Sequence, residues 1–296
     1  MLLFADDGYN HTVKISLSVI PPDHSTPRLD KPSRPPKDGS IALVNVHLLG
    51  IPFHDIDIAG VLKQVRQFIA NGVPRQICLG NAYTVSLCWK DLELRKVLDD
   101  ADLVLADGMS IVWGGRLIGV NLPCRIAGPD LTESLCTLAE QSGYRVFFLG
   151  STTDNLRQLK EILLQKWPKL QLAGMYSPPM CDRLSVQDNQ AVFQELYRAK
   201  PDILFVGMST PKQEKWIASN LKDLKVPVSI GIGAAFDFLS GRIPRAPRFL
   251  QDSGFEWLYR LGCEPRRLWK RYLLGNFIFL SHLGAAWIKF RFRSAK

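Results

Sequence analysis

The sequence predicts an α/β fold: a Rossmann-like, mainly parallel sheet flanked by helices, with a helical C-terminal appendage. Three observations predict it. Short apolar runs of strand length alternate with longer segments of helical spacing through the middle of the chain. A glycine or an acid follows most of those runs, as at Gly80, Asp107, Gly150, Gly207 and Gly231. After Arg242 the chain turns basic, with tryptophans and leucines between the charges. Repeated βα units imply parallel strands joined by right-handed crossovers, with helices on both faces.

Length allows one large α/β domain or two smaller ones, since the chain has 296 residues. Residues 1–40 read as a flexible extension, because positions 21–40 hold six prolines and little that could be buried. The core is expected over 41–242 and a basic helical appendage over 243–296. The first expected elements are two short strands around Gly50. A helix then runs from residue 56 to 70 and stops at Asn71-Gly72, a common C-cap pair.

Strand 76–80 follows, then a helix over 83–99 that breaks near Asp91. Strand 103–106 is short, apolar and ends on Asp107-Gly108, with a helix over 110–118. Helix 130–142, strand 145–149, helix 153–167, strand 170–175 and helix 186–200 continue the alternation. Strand 202–207 leads into Pro211-Lys-Gln-Glu214 at a helix start, and a last strand begins at Val228. Loops at the carboxyl ends of parallel strands are where ligands bind. Basic residues near glycine turns suit phosphate, so a nucleotide or nucleotide-sugar site is expected there.

Charge and cysteine usage narrow the class. The net charge is +9, which suits nucleic acid, an anionic membrane or a phosphorylated substrate. Its concentration after Arg242, among apolar residues, favours a membrane over nucleic acid. The six cysteines form no CxxC pair, so reduced thiols and a cytosolic fold are expected. The start of the chain has no basic n-region and only a short apolar run, unlike a signal peptide. The five histidines form no HxH or HxxxH group, which argues against zinc chemistry and a His-centred triad.

Each candidate residue has two readings. Asp107, at a strand end, can act as a general base or cap the next helix. Asn81, just past Gly80, can bond a sugar or serve as a cap. Arg125, before a Gly-Pro turn, suits an anion or a surface ion pair, and Asp130 is most simply a cap. Gln213, one turn into its helix, can face the ligand crevice, although Pro211 with a nearby acid also makes an ordinary helix start. Gly150 and the Gly231-Ile-Gly233 pair lack a Walker lysine and the third dinucleotide glycine, so NAD is not inferred. The acidic run Asp99-Asp100-Ala-Asp102 falls at a helix end and reads as solvated.

Taken in order, these motifs resemble the WecG/TagA/CpsF family of bacterial glycosyltransferases. They are Asn81, Ala106-Asp107-Gly108, the segment from Arg125 to Leu131, and Gly207 through Pro211-Lys-Gln-Glu214. Gly233 with Phe236-Asp237, Arg245-Ala-Pro247, Glu256-Trp-Leu-Tyr-Arg260 and Glu264-Pro-Arg-Arg267 complete the set. The resemblance implies inverting transfer of a sugar from a UDP-sugar donor to a polyprenyl-diphosphate-linked acceptor, at the cytoplasmic face of the membrane. It implies Asp107 as the base, Asn81 and Arg125 in the sugar and diphosphate pocket, and Gln213 and Asp237 on the nucleotide. Arg260 and Arg267 would reach phosphate from the appendage. No cofactor is expected, and with no DxD pair in a candidate loop a metal is not required. Many members carry Thr two residues before the pocket Asn; Leu79 stands here, so the donor sugar is not carried over.

The appendage itself reads as an interfacial helix. Leu273, Phe277, Leu280, Leu283, Trp287 and Phe290 recur at helical spacing, with Arg271, His282, Lys289 and Arg293 roughly opposite. The apolar run is shorter than the roughly 20 residues of a spanning helix. An anionic membrane surface is therefore the expected partner, nucleic acid is not, and homo-oligomerisation is left open. A non-catalytic nucleotide-binding regulator on the same scaffold is the main rival.

Overall fold

The computed structural model describes residues 45–293, so the expected extension over 1–40 lies outside the described residues. The chain opens with a separate antiparallel hairpin, β1 (Asn45–Leu48) and β2 (Ile51–His54), turning at Gly50. Helix α1 (Ile58–Asn71) is capped by Asp57, whose carboxylate accepts from Gly60 N at 2.8 Å, and ends on left-handed Gly72. Next come β3 (Arg75–Gly80), α2 (Ala82–Cys88) and α3 (Leu92–Asp100), the last two separated at Asp91, which caps α3. β4 (Leu103–Ala106), α4 (Met109–Leu117), α5 (Gly128–Ser142) and β5 (Arg145–Gly150) follow. Then α6 (Thr153–Lys166), β6 (Gln171–Tyr176), α7 (Val186–Ala199) and β7 (Ile203–Gly207) complete the middle of the chain.

The last part of the core holds α8 (Lys212–Leu224), β8 (Val228–Gly231) and α9 (Ala235–Leu239). Beyond it lie α10 (Arg248–Asp252), α11 (Glu256–Cys263) and α12 (Pro265–Trp269). A π-helical turn, Lys270–Leu274, then leads without a break into α13 (Gly275–Arg293).

Six strands form one parallel sheet in the order β4-β3-β8-β7-β5-β6. Strands β4, β5, β7 and β8 are buried over nearly their whole length, as an apolar strand covered on both faces must be. One face packs with α1, α5 and α6 around Val65, Leu135, Leu159 and Phe148; Phe148 stacks on Phe205 at 4.9 Å. The other face packs partly on α7 and α8, through Leu196, Ile217 and Leu204. Its β3–β4 end packs on the hairpin, α2, α4 and α13, through Phe53, Val85, Ile111 and Phe279. Each fully buried Leu or Phe contributes roughly 1.5–3 kcal/mol from water exclusion.

The topology fixes where a ligand can sit. From β4 the chain crosses over to β5, beyond β8 and β7; β5 then leads outward to β6 while its neighbour β7 leads the other way to β8, so the connections diverge between β5 and β7. That divergence opens a crevice at the carboxyl ends of the strands. Two glycines shape its rim. Gly108 adopts φ +124° directly after Asp107, a region most side chains avoid. Gly150, at φ +119°, would carry a Cβ 2.5 Å from the Gly207 carbonyl, so only glycine lets these strand ends lie side by side.

Two expectations need correction. Asp102 is not a solvated acid: its carboxylate accepts from Arg75 Nη1 at 2.8 Å and from Gln76 N at 2.9 Å, joining β4 to β3. The terminal helix is not divided into an apolar front and a polar back. Phe279, Leu283 and Ala286 are buried against the core, while Phe277 and Ile288 are exposed and Leu280, also exposed, borders the strand-end cavity. The stretch Pro265–Phe292 is also long and apolar enough, by length and composition, to cross a membrane.

Candidate active site

One cavity of about 1880 Å³ lies over the strand ends, and all seven candidates, Asn81, Asp107, Arg125, Gln213, Asp237, Arg260 and Arg267, line it. Sheet register accounts for the first pair. Leu79 pairs with Leu105 and Gly80 with Ala106, so the next residues, Asn81 and Asp107, emerge side by side. The Asp107 amide donates to the Gly80 carbonyl at 2.8 Å, and Asn81 Nδ2 donates to Asp107 Oδ2 at 3.2 Å.

The capping question is resolved differently for the two. Helix α4 has Gly108 at its N-cap and no side-chain cap bond, so Asp107 is free of that task. Asn81 does cap α2, its Oδ1 accepting from the Tyr83 and Thr84 amides at 3.1 Å each. The cap holds the amide so that its NH₂ faces Asp107. Burial pushes the Asp107 carboxyl above its ordinary value; the Asn81 bond opposes this, Glu256 adds to it, and Arg125 and Arg271 oppose it. A carboxylate made more basic than usual, yet still supported by one donor, is chemically suited to accept a proton.

Arg125 is neither free nor on the surface. It is 13% exposed and donates from Nη1 to Glu256 Oε2 at 2.6 Å, with Asp130 at 3.6 Å. Asp130 is not the N-cap of α5, a position held by Ala127. It instead takes both terminal nitrogens of Arg245. Burial works to raise the Asp130 carboxyl, but the Arg245 bonds and the charges of Arg245 and Arg125 hold it below its usual range. Arg245 also approaches Glu256 at 3.5 Å, which closes a four-residue network between the core and α11.

Gln213 is more buried than a ligand-facing amide should be, at 2% exposure. Its Nε2 donates to Glu214 Oε1 at 2.9 Å and its Oε1 accepts from the Gly233 amide at 3.0 Å. The side chain thus ties the loop after β8 to the start of α8. Glu214 is itself buried, which raises its carboxyl, and Thr210 Oγ1 donates to it at 2.9 Å. Asp237, in the first turn of α9, accepts from Asn155 Nδ2 at 3.1 Å and lies 3.8 Å from Arg242. Asn155 is 3% exposed and also bonds Ser151 and Ser240.

From the other side the appendage roofs the cavity. Arg260 lies with its guanidinium 4.9 Å from the Phe238 ring centre. Arg267 is 56% exposed at its side chain and pairs with Glu264 at 3.1 Å. Arg271, expected opposite the apolar stripe of the terminal helix, lines the cavity.

Three supporting residues were not singled out from the sequence. Glu256 stood in a recognised motif without a role, and its acid sign opposite Arg125 was the available clue. Asn155 gave no signal beyond being a polar residue one turn into a helix. Arg271 was placed opposite the apolar stripe and given no role in the site.

Comparison with known proteins places this site in context. The model described as the glycosyl transferase WecG/TagA/CpsF family matches residues 46–293. An N-acetylglucosaminyldiphosphoundecaprenol N-acetyl-beta-D-mannosaminyltransferase of Bacillus subtilis (strain 168) is 35% identical over 184 residues, 62% of this chain and 69% of the relative. A protein of the same name from Staphylococcus aureus (strain NCTC 8325 / PS 47) is 25% identical over 225 residues, 75% of this chain and 86% of the relative.

Proposed function

This chain belongs to the WecG/TagA/CpsF family of glycosyltransferases, and from that premise we propose that it moves a sugar, with inversion, from a UDP-sugar to a polyprenyl-diphosphate-linked saccharide. The reaction would take place on the cytoplasmic face of the membrane and serve the assembly of a cell-surface or extracellular polysaccharide. The names of the relatives suggest an N-acetylhexosamine as the group moved and an N-acetylglucosaminyl diphosphoundecaprenol as the acceptor. Leu79 lines the cavity beside the Asn81 site, so the donor is proposed only as a class.

The observation that carries the proposal is Asp107: a half-buried carboxylate at a strand end, held by Asn81, in a cavity roofed by arginines. In the proposed step Asp107 accepts the proton of the acceptor hydroxyl. The freed oxygen forms a bond to the anomeric carbon of the donor sugar from the side opposite UDP. The bond from that carbon to the diphosphate oxygen breaks, and its electron pair leaves with UDP. Guanidinium groups of the cavity then meet the charge that develops on the diphosphate. Because arginine supplies that charge, the proposal needs no metal.

Asn81 keeps Asp107 in place, Gln213 holds the loop that begins at Gly231, and Asp237 is offered to the nucleotide. The exposed apolar side of α13, with the cations beyond it, would lie against the membrane that carries the acceptor. A screen of UDP-sugars with purified protein and a lipid-diphosphate acceptor, with and without chelator, tests this reading. Transfer with one or few donors, undiminished by chelator, is expected. UDP binding without transfer to any acceptor would instead support a non-catalytic nucleotide-binding protein.

A further inference from the structure

The fold carries Glu214 at a cost in stability. The residue is 1% exposed, and its side-chain partners, Gln213 and Thr210, are both neutral. Both bond Oε1, while Oε2 is buried without a hydrogen-bond partner among the described residues. Burial raises the carboxyl; the bonds from Gln213, its own amide and Thr210, and the charge of Arg271, oppose the rise. A buried carboxyl held only by neutral groups, with one oxygen bare, is often less stable than an apolar side chain of the same size. A task other than holding the fold explains such a residue.

The neighbours show what that task is. Gln76 Nε2, on β3, donates to the main-chain carbonyl of Glu214 at 2.8 Å, which pins the start of α8 to the sheet. The Gly233 amide can only donate, so it takes Oε1 of Gln213 and leaves Nε2 for Glu214. Both ends of the Gln213 amide are therefore committed. A Cβ at Gly231 would stand 2.9 Å from Gln213 Nε2, so a glycine there lets the amide lie against the end of β8. The brace runs from β3 through Glu214 and Gln213 to Gly233. Glu214 is not part of the cavity lining, but residues 231–234 are, and they lead directly into α9 with Asp237.

We propose that Glu214 is a positioning residue for the nucleotide. Acting through Gln213, it holds residues 231–234 in the shape that receives the UDP part of the donor. The proposal rests on the transferase reading, in which a nucleotide lies beside this loop. Without an acceptor at position 214 the Gln213 amide is free to turn, and the Gly233 amide loses its fixed partner. Affinity for the nucleotide should then fall although no group that touches it has changed.

The experiment is calorimetry with UDP on the full chain, paired with urea denaturation of the same proteins. Glu214→Met keeps the volume and removes both acceptor oxygens. It should weaken UDP binding about tenfold, the size of one hydrogen bond to a charged group, while stability stays at or above that of the wild type. A residue that only holds the fold would give the opposite pair of results. Glu214→Gln retains an acceptor for Gln213 and Thr210 and should restore UDP affinity. Leu163→Ala, fully buried on α6 and outside the cavity lining, should lower stability and leave UDP affinity unchanged. In transfer assays Glu214→Met should raise KM for the UDP-sugar and keep kcat within about twofold, as expected of a group remote from the reacting atoms.

Unchanged UDP affinity in folded Glu214→Met overturns the proposal, as does a loss confined to kcat. If Glu214→Met does not fold, Glu214→Ala decides by the same comparison. A wild type that does not bind UDP overturns the proposal together with the reading it rests on. A wild type that binds UDP more tightly than Glu214→Met but transfers no sugar contradicts the transferase reading alone and leaves Glu214 in its role.

Discussion

Asp107 is subject to opposing influences, and their balance gives a measurable signature. Burial raises its carboxyl above the ordinary value near 3.8, and the net direction stays upward despite Asn81, Arg125 and Arg271. In the proposed role the carboxylate must be ionised to accept a proton, so activity should fall as pH drops through that raised value. The acid limb of kcat/KM is thus expected above the normal carboxylate range; a limb at or below it would remove Asp107 from that role. Asn155 supplies a second residue-scale prediction. Its amide fixes Asp237 and Ser240 from a fully enclosed position. Asn155→Ala should therefore weaken UDP binding about as much as Asp237→Ala, on the order of tenfold for one lost hydrogen bond to a charged group. Calorimetry checks this, and full UDP affinity in both variants would show that neither residue serves the nucleotide. Asn81 and Asp107 could be picked out in the sequence because each directly follows a short apolar strand, and parallel register then makes them neighbours. Asn155 could not, because its value depends on a partner 82 residues away.

Strands and helices of the core lie close to where the hydrophobic pattern put them, since a buried parallel strand reads as an uninterrupted apolar run. Periodicity failed at the terminal helix, for a physical reason. Counting forward at 3.6 residues per turn assumes an unbroken α-helix. The π-helical turn at Lys270–Leu274 interrupts that count, and within α13 Leu283 shares the buried side of Phe279 and Ala286 rather than the exposed side of Phe277. Helix α13 is also apolar on nearly every side, and a pattern with little contrast cannot say which face docks. The two faces should separate experimentally. Phe279→Ala, at 1% exposure, should cost about 3–5 kcal/mol of stability in urea denaturation. Replacing Leu273 and Phe277 with Ser, both more than half exposed, should leave stability nearly unchanged and reduce flotation with anionic liposomes. Equal flotation of that double variant and the wild type would take the membrane away from this face.

Across the whole molecule, the cavity is complete only where the appendage meets the sheet. Arg125 and Asp130 belong to the segment after β4, while Arg245 and Glu256 belong to the segment after α9. Their mutual bonds join the two. Glu256→Ala would leave Arg125 and Arg245 facing one carboxylate, Asp130, and should cost about 2 kcal/mol, within the range for hydrogen bonds to charged groups. Denaturant unfolding measures this, and an unchanged midpoint would mean that packing alone holds the appendage. The motif residues announced which side chains gather here, but not that two of the arginines are already paired with acids. Ion pairing between segments more than a hundred residues apart leaves no local pattern. The central claim, that Asp107 performs the chemistry within a cavity whose other residues bind, is tested most directly by Asp107→Asn. The substitution keeps size and removes the base, and since Asp107 caps no helix it should leave the fold intact. Measured together, the transfer rate should fall by about 10²–10⁴ while the Kd for UDP stays near that of the wild type. Near-normal turnover with a natural acceptor would contradict the account.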